Sequence, residues 1–293
     1  MWKRPVVESV TSSTTKQRLP VWVRRIGVCL ALVMILVIIV NWIRPPDLTS
    51  AVNQAGGAIS WQERASFTQR LGNWVFGEVT GGIGVNLNDT KVDDEWLRRY
   101  KRSLRAQYGE VELALGGTNV TDEGLSHLRD VENLTFLWLS NTEITGRGLD
   151  YLVRLPRLNG VVIHGTRITD DDLKKIAAFP SLELVGLDSS QFTQTGADHL
   201  RACGQLDRLT IRNADEESVA RLQGFTQLSF LYLDGEEVTD RSVPVLSQLT
   251  GLQGLTLLDS QLSKEGLDSL QKSLPGCLIS PLTSEELQAT ASP

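Results

Sequence analysis

The chain has 293 residues, 41% hydrophobic and 22% charged, with 29 Lys and Arg against 35 Asp and Glu. That balance excludes wholesale disorder, and a mean hydropathy of -0.10 excludes a many-pass membrane protein. Three Cys are too few for a disulfide scaffold.

Residues 1–25 hold six Lys or Arg and one Glu and read as a basic cytoplasmic tail. The next 18 residues, 26–43 (IGVCLALVMILVIIVNWI), carry no charge. As a helix they would span roughly 27 Å, close to the hydrocarbon thickness of a bilayer. Trp22 and Trp42 bracket the run, where amphipathic rings favour the interface. A cleaved signal peptide is the rival reading, but the run ends in Asn41-Trp42-Ile43-Arg44-Pro45-Pro46 without a small-residue cleavage pattern. The expectation is an uncleaved signal anchor through the lipid bilayer, N-terminus cytoplasmic by the positive-inside rule and the rest extracytoplasmic. Residues 44–57, with Pro45, Pro46, Gly56 and Gly57, read as a stalk. Residues 58–81, with Ile59, Trp61, Phe67, Leu71, Trp74, Val75 and Phe76, read as an amphipathic N-terminal cap.

From residue 82 the chain repeats itself. Leu134, Leu137 and Leu139 are followed by Asn141-Thr142-Glu143-Ile144-Thr145, then Leu149, Leu152 and Leu155. A shift of 24 residues lands on Leu158, Val161, Ile163, Thr166, Ile168, Thr169, Leu173, Ile176 and Phe179; another lands on Leu182, Val185, Leu187, Phe192, Thr193, Ala197 and Leu200. Units beginning at Leu206, Leu228 and Leu252 follow, the first of them two residues short. Two precede, around Leu113 and Val85, with an insertion near 101–109. About eight units fill residues 82–280, and 281–293 read as a flexible tail.

These residues resemble the leucine-rich repeat family. Val120-Thr121-Asp122-Glu123-Gly124-Leu125 and Ile168-Thr169-Asp170-Asp171-Asp172-Leu173 match its I-T-D-x-G-L signature, found on the ribonuclease-inhibitor-like and cysteine-containing side and in bacterial members. Thr118, Thr142 and Thr166 stand where the cysteine-containing pattern has Cys. The resemblance implies an α/β, right-handed leucine-rich repeat solenoid with a parallel concave sheet and convex helices. It is nearly silent on function. Physically, L-x-x-L-x-L turns alternate side chains of a short strand inward. Asp93, Thr121, Thr145, Thr169, Thr193, Thr239 and Ser263 are the expected helix N-caps. One unit cannot bury its apolar face alone, so stacked neighbours share a core.

The strand positions between the inward residues would face the concave surface. The expected binding face comprises Phe136, Trp138, Val162, His164, Leu184, Arg208, Arg212, Phe230 and Tyr232. Phe136, Trp138, Val162 and Leu184 would form one exposed apolar patch and Phe230 with Tyr232 another, with Arg208 and Arg212 between them; aromatics and Arg are frequent anchors. The alternative is that these side chains pack against each other across neighbouring strands.

No catalytic constellation is visible. His127, His164 and His199 do not converge in the repeat register. His199 and Cys203, four apart, make half a zinc site at most, so neither metal nor cofactor is expected. Cys203 and Cys277 lie too far apart in the register for a disulfide. Asn88, Asn119 and Asn133 are formal glycosylation acceptors. The acidic repeats argue against a nucleic-acid partner. The expectation is a non-enzymatic, membrane-anchored protein of a bacterial inner membrane, facing the periplasm and binding a protein or envelope polymer. The alternatives are a structural envelope spacer and, further off, an enzyme.

Overall fold

The computed structural model describes residues 47–61 and 82–286, all within one compact unit beginning at Pro46. The basic tail, the apolar run 26–43 and most of the expected cap lie outside the described residues. Among the described residues no helix is long and apolar enough to cross a membrane.

A ten-stranded sheet runs in strict chain order. Its members are β1 (Ala58–Trp61), β2 (Gly82–Asn86), β3 (Glu110–Ala114), β4 (Leu134–Trp138), β5 (Gly160–Val162), β6 (Leu184–Asp188), β7 (Arg208–Arg212), β8 (Phe230–Asp234), β9 (Gly254–Leu258) and β10 (Leu278–Leu282). The pair β1–β2 is antiparallel and every later pair is parallel. The sequence period is a physical rung: Leu113, Leu137, Val161, Val185, Leu209, Leu231, Leu255 and Ile279 are successive partners. All but Ile279 are buried, and burying each stabilises the stack by about 1.5–3 kcal/mol. The fold is thus an α/β repeat stack whose parallel sheet resembles a leucine-rich repeat solenoid.

The helical layer is uneven. In chain order come α1 (Leu48–Gln54), α2 (Asp94–Arg105), α3 (Asp122–Ser126), α4 (Gly146–Leu149), α5 (Leu173–Ile176), α6 (Gln194–Arg201), α7 (Glu216–Ala220), α8 (Val243–Leu246) and α9 (Lys264–Ser273). The expected insertion near 101–109 is the long α2 and its exit loop. Asn133 holds that loop by donating from Nδ2 to the carbonyls of Gln107 and Gly109, both at 3.2 Å. A glycan on Asn133 is incompatible with those bonds.

Three expectations need correction. The stretch read as a stalk carries α1: Asp47 accepts from the Thr49 N–H, and Leu48, Ala51 and Val52 are buried at helical spacing. The closing strand β10 continues to Leu282, into the expected tail. Thr169 does not cap its helix, because α5 starts only at Leu173; the Thr169 N–H and hydroxyl instead donate to Asp172. The short repeat contains a cap that spacing did not reveal. There Asp215 accepts from the Ser218 N–H at 2.7 Å, and the Ser218 hydroxyl bonds back to the Asp215 backbone.

Cap residues also bind one repeat to the next. The Thr121 N–H and hydroxyl donate to Asp94 at 2.8 and 2.6 Å, and those of Thr145 donate to Asp122 at 2.9 and 2.6 Å. Thr193 donates to Asp170, Thr239 to Glu216 and Ser263 to Asp240. A carboxylate in this position needs empty space beside it. A Cβ on Gly124, Gly148 or Gly266 would lie 2.3, 2.6 or 2.2 Å from the acid of the preceding repeat. At Gly146 the arrangement is reversed: the staple acid is absent, and Asp172 of the next repeat fills the gap. A Cβ on Gly146 would stand 1.7 Å from the Asp172 Oδ1.

Candidate functional site

The sheet face turned away from the main core is the expected concave face. Its columns follow the strand register. One column reads Glu112, Phe136, Gly160, Leu184, Arg208, Phe230, Gly254, Leu278. The next reads Ala114, Trp138, Val162, Gly186, Thr210, Tyr232, Thr256. A third contains Asp188, Arg212, Asp234 and Leu258. All nine expected binding residues belong to this face or its border, but they divide into two unlike regions.

Over β3–β6 the face is closed. Ala114, Phe136, Trp138, Val162 and Leu184 form a second apolar cluster, separate from the main core, and none is more than 9% exposed. The exposed patch expected here is therefore corrected: the four residues meet, but as a packed cluster. Phe136 and Trp138 stack with centroids 4.0 Å apart. The fit depends on glycines in the following strands. A Cβ on Gly160 would come within 2.1 Å of the Phe136 ring, and one on Gly186 within 3.1 Å of Val162. His164 borders this cluster. Burial pushes its pKa down to about 4, with Arg212 adding to the fall and Asp188 opposing it, so the imidazole is neutral at neutral pH.

Over β7 and β8 the face opens. In both strands inward residues are buried and outward ones half-buried, a strict alternation that β3–β6 and β9 lack. The outward side chains are Arg208, Thr210, Arg212, Phe230, Tyr232 and Asp234. The Arg208 guanidinium lies over the Phe230 ring at 5.4 Å. Arg212 pairs with Asp188 at 3.3 Å, and Asp188 also accepts from the Gly165 N–H at 2.5 Å and from Asn213 at 3.4 Å. Burial, then the nearby Asp259, raise the Asp234 pKa, while Arg212 opposes them. Burial, then the charges of Asp234 and Asp259, keep the Tyr232 phenol protonated.

The acids beside this strip, Asp188 and Asp234, are not among the expected site residues. Their signal was the alternation Asp188–Arg212–Asp234 along one column, readable once charges are compared across strands. The strip offers rings, two guanidiniums and a carboxylate on an open surface. It has no enclosed cleft, and among the described residues no cluster of His, Cys, Asp and Glu could hold a metal. Cys203 and Cys277 are buried thiols in the core.

No protein-family model and no curated protein matches the chain. Among solved structures, internalin C2 from Listeria monocytogenes aligns at 23% identity with a TM-score of 0.38, covering 71% of this chain and 83% of that one. Human 5T4 (Wnt-activated inhibitory factor 1, trophoblast glycoprotein) aligns at 16% identity with a TM-score of 0.42, covering 62% and 77%. Both are leucine-rich repeat proteins. The fold assignment rests on this chain's own ladder rather than on these overlaps.

Proposed function

We propose that this protein is a single-pass, membrane-anchored repeat protein that binds a protein partner through the strip Arg208, Arg212, Phe230, Tyr232 and Asp234. The observation that carries the reading is the half-buried alternation of β7 and β8 on a face that is closed over β3–β6. Aromatic and arginine side chains held half-buried on a rigid sheet lose little further freedom on binding, which favours them as anchors. The basic tail followed by the uncharged run 26–43 supports an anchor with the N-terminus in the cytoplasm and the repeats outside, in a bacterial inner membrane facing the periplasm. An envelope polymer is the other ligand class that an open sheet could track. The test uses the full chain in its membrane. Partner capture should fall at least tenfold on combining Arg208→Ala with Tyr232→Ala, while folding is retained. Undiminished capture would refute the strip. Proteolysis of intact spheroplasts should remove residues 82–286; their protection would refute the orientation.

A structural spacer is the second reading, and the closed cluster over β3–β6 favours it, since those strands hold their outward side chains in internal packing. The two readings separate on whether capture is saturable.

A further inference from the structure

The charge of the repeats is distributed with one sharp exception. Residues 106–286 hold 14 Lys and Arg against 27 Asp and Glu. Helix α2, only 12 residues long, holds five cations: Arg98, Arg99, Lys101, Arg102 and Arg105. Its Asp94 and Glu95 both sit in the first turn, and Asp94 is committed to capping Thr121. The buried face of the helix is Leu97, Ser103 and Leu104. Arg98, Arg99, Arg102 and Arg105 are exposed, and their spacing gathers them on one side within about 120° of helical arc. Of these four arginines, Arg98 alone has an ion-pair partner among the described residues, Glu95. Where α2 ends, Tyr108 is 100% exposed.

Chain length limits how far this face can lie from the apolar run. Four steps of chain separate Ile43, the last residue of the apolar run, from Asp47, the cap of α1, a reach of at most about 14 Å. Helix α1 packs against α2. A helix of seven residues adds roughly 10 Å, so the cationic face is tethered within a few tens of ångströms of the end of the run. Cations at that distance meet a bilayer surface before any other large polyanion. An exposed Tyr is also suited to the headgroup layer.

We infer that the arginine face of α2 docks on anionic phospholipid headgroups of the membrane that holds residues 26–43. The acidic remainder of the stack is repelled by the same surface, which leaves the arginine face of α2 as the part that anionic headgroups attract. This inference rests on the anchor reading above.

The test uses the full chain in nanodiscs of phosphatidylcholine alone or with phosphatidylglycerol. Arginine modification by phenylglyoxal is read residue by residue by mass spectrometry. Arg98, Arg99, Arg102 and Arg105 should label at least roughly threefold more slowly in the anionic discs at low salt, and protection should vanish at high salt. Arg154 and Arg157, both exposed, should label equally in either disc. Equal labelling of α2 in the two discs, with the chain retained in both, would overturn the inference alone. Failure of the chain to stay with either disc would refute the anchor and the inference together. Equal protection by soluble polyphosphate would overturn the bilayer as the partner.

Discussion

The same backbone repeat produces two different outer faces. Over β4–β6, Phe136, Trp138, Val162 and Leu184 sit among glycines of neighbouring strands and close over them. Over β7–β8, Arg208, Thr210, Arg212, Phe230, Tyr232 and Asp234 stand half-exposed beside one another, although Gly186 and Gly254 flank them in β6 and β9. Large residues alone do not make a recognition surface. What differs is the neighbours: the first set is wholly apolar and interlocks into one cluster, whereas the second alternates rings with charged and polar side chains that stay in water. In the first region outer side chains contribute to stability, and in the second they are available to a partner.

The largest effects should come from filling or emptying space in the closed region. Gly160→Val places a branched side chain into the Phe136 ring and should cost about 1–3 kcal/mol, read as a lower denaturant midpoint. Trp138→Ala should cost about 3 kcal/mol or more by leaving a cavity beside Phe136, with partner capture by the folded fraction unchanged. Tyr232→Ala should do the reverse, moving stability by about 1 kcal/mol or less while capture collapses. If Trp138→Ala abolished capture without destabilising the protein, the division of the face would be wrong.

Smaller effects sharpen the contrast between structural and recognition chemistry. Gly146→Asp should destabilise the protein, because its carboxylate would meet Asp172. The double variant Gly146→Asp with Asp172→Gly restores the arrangement found at Asp122 and Gly148, and should recover most of the loss. A coupling energy of about 1 kcal/mol or more in that cycle is expected, and strict additivity would contradict the staple. His164 offers a pH test. Its folded-state pKa lies below its ordinary value of 6.5, so the unfolded chain takes up a proton first. Stability should be intact above about pH 6.5 and fall as the pH drops toward 4. His164→Gln should flatten that part of the acid profile in a denaturation series.

Much of this was legible in the sequence, for a simple reason. A rung such as Leu137–Val161–Val185–Leu209 is fixed by a period, and the period survives changes of side chain. The columns of the outer face follow from it, and all nine candidate residues fall on or beside that face. What the period does not carry is the packing of one column against the next. The burial of Phe136 depends on Gly160, 24 residues away, and the lost cap at Thr169 depends on Asp172 occupying space beside Gly146. Helix α1 was hidden for a different reason. Pro45, Pro46, Gly56 and Gly57 bracket it and read as a stalk, although Asp47, Leu48, Ala51 and Val52 already had the spacing of a capped, half-buried helix.

Site-specific photo-crosslinking in intact cells tests the divided face most directly. A photoreactive phenylalanine analogue is placed at Phe230 in one full-length protein and at Phe136 in another, and both are irradiated under the same conditions. The account predicts a saturable adduct from position 230, lost when Arg208→Ala is added, and none of comparable yield from position 136. An equal or stronger adduct from position 136, with none from position 230, would contradict it.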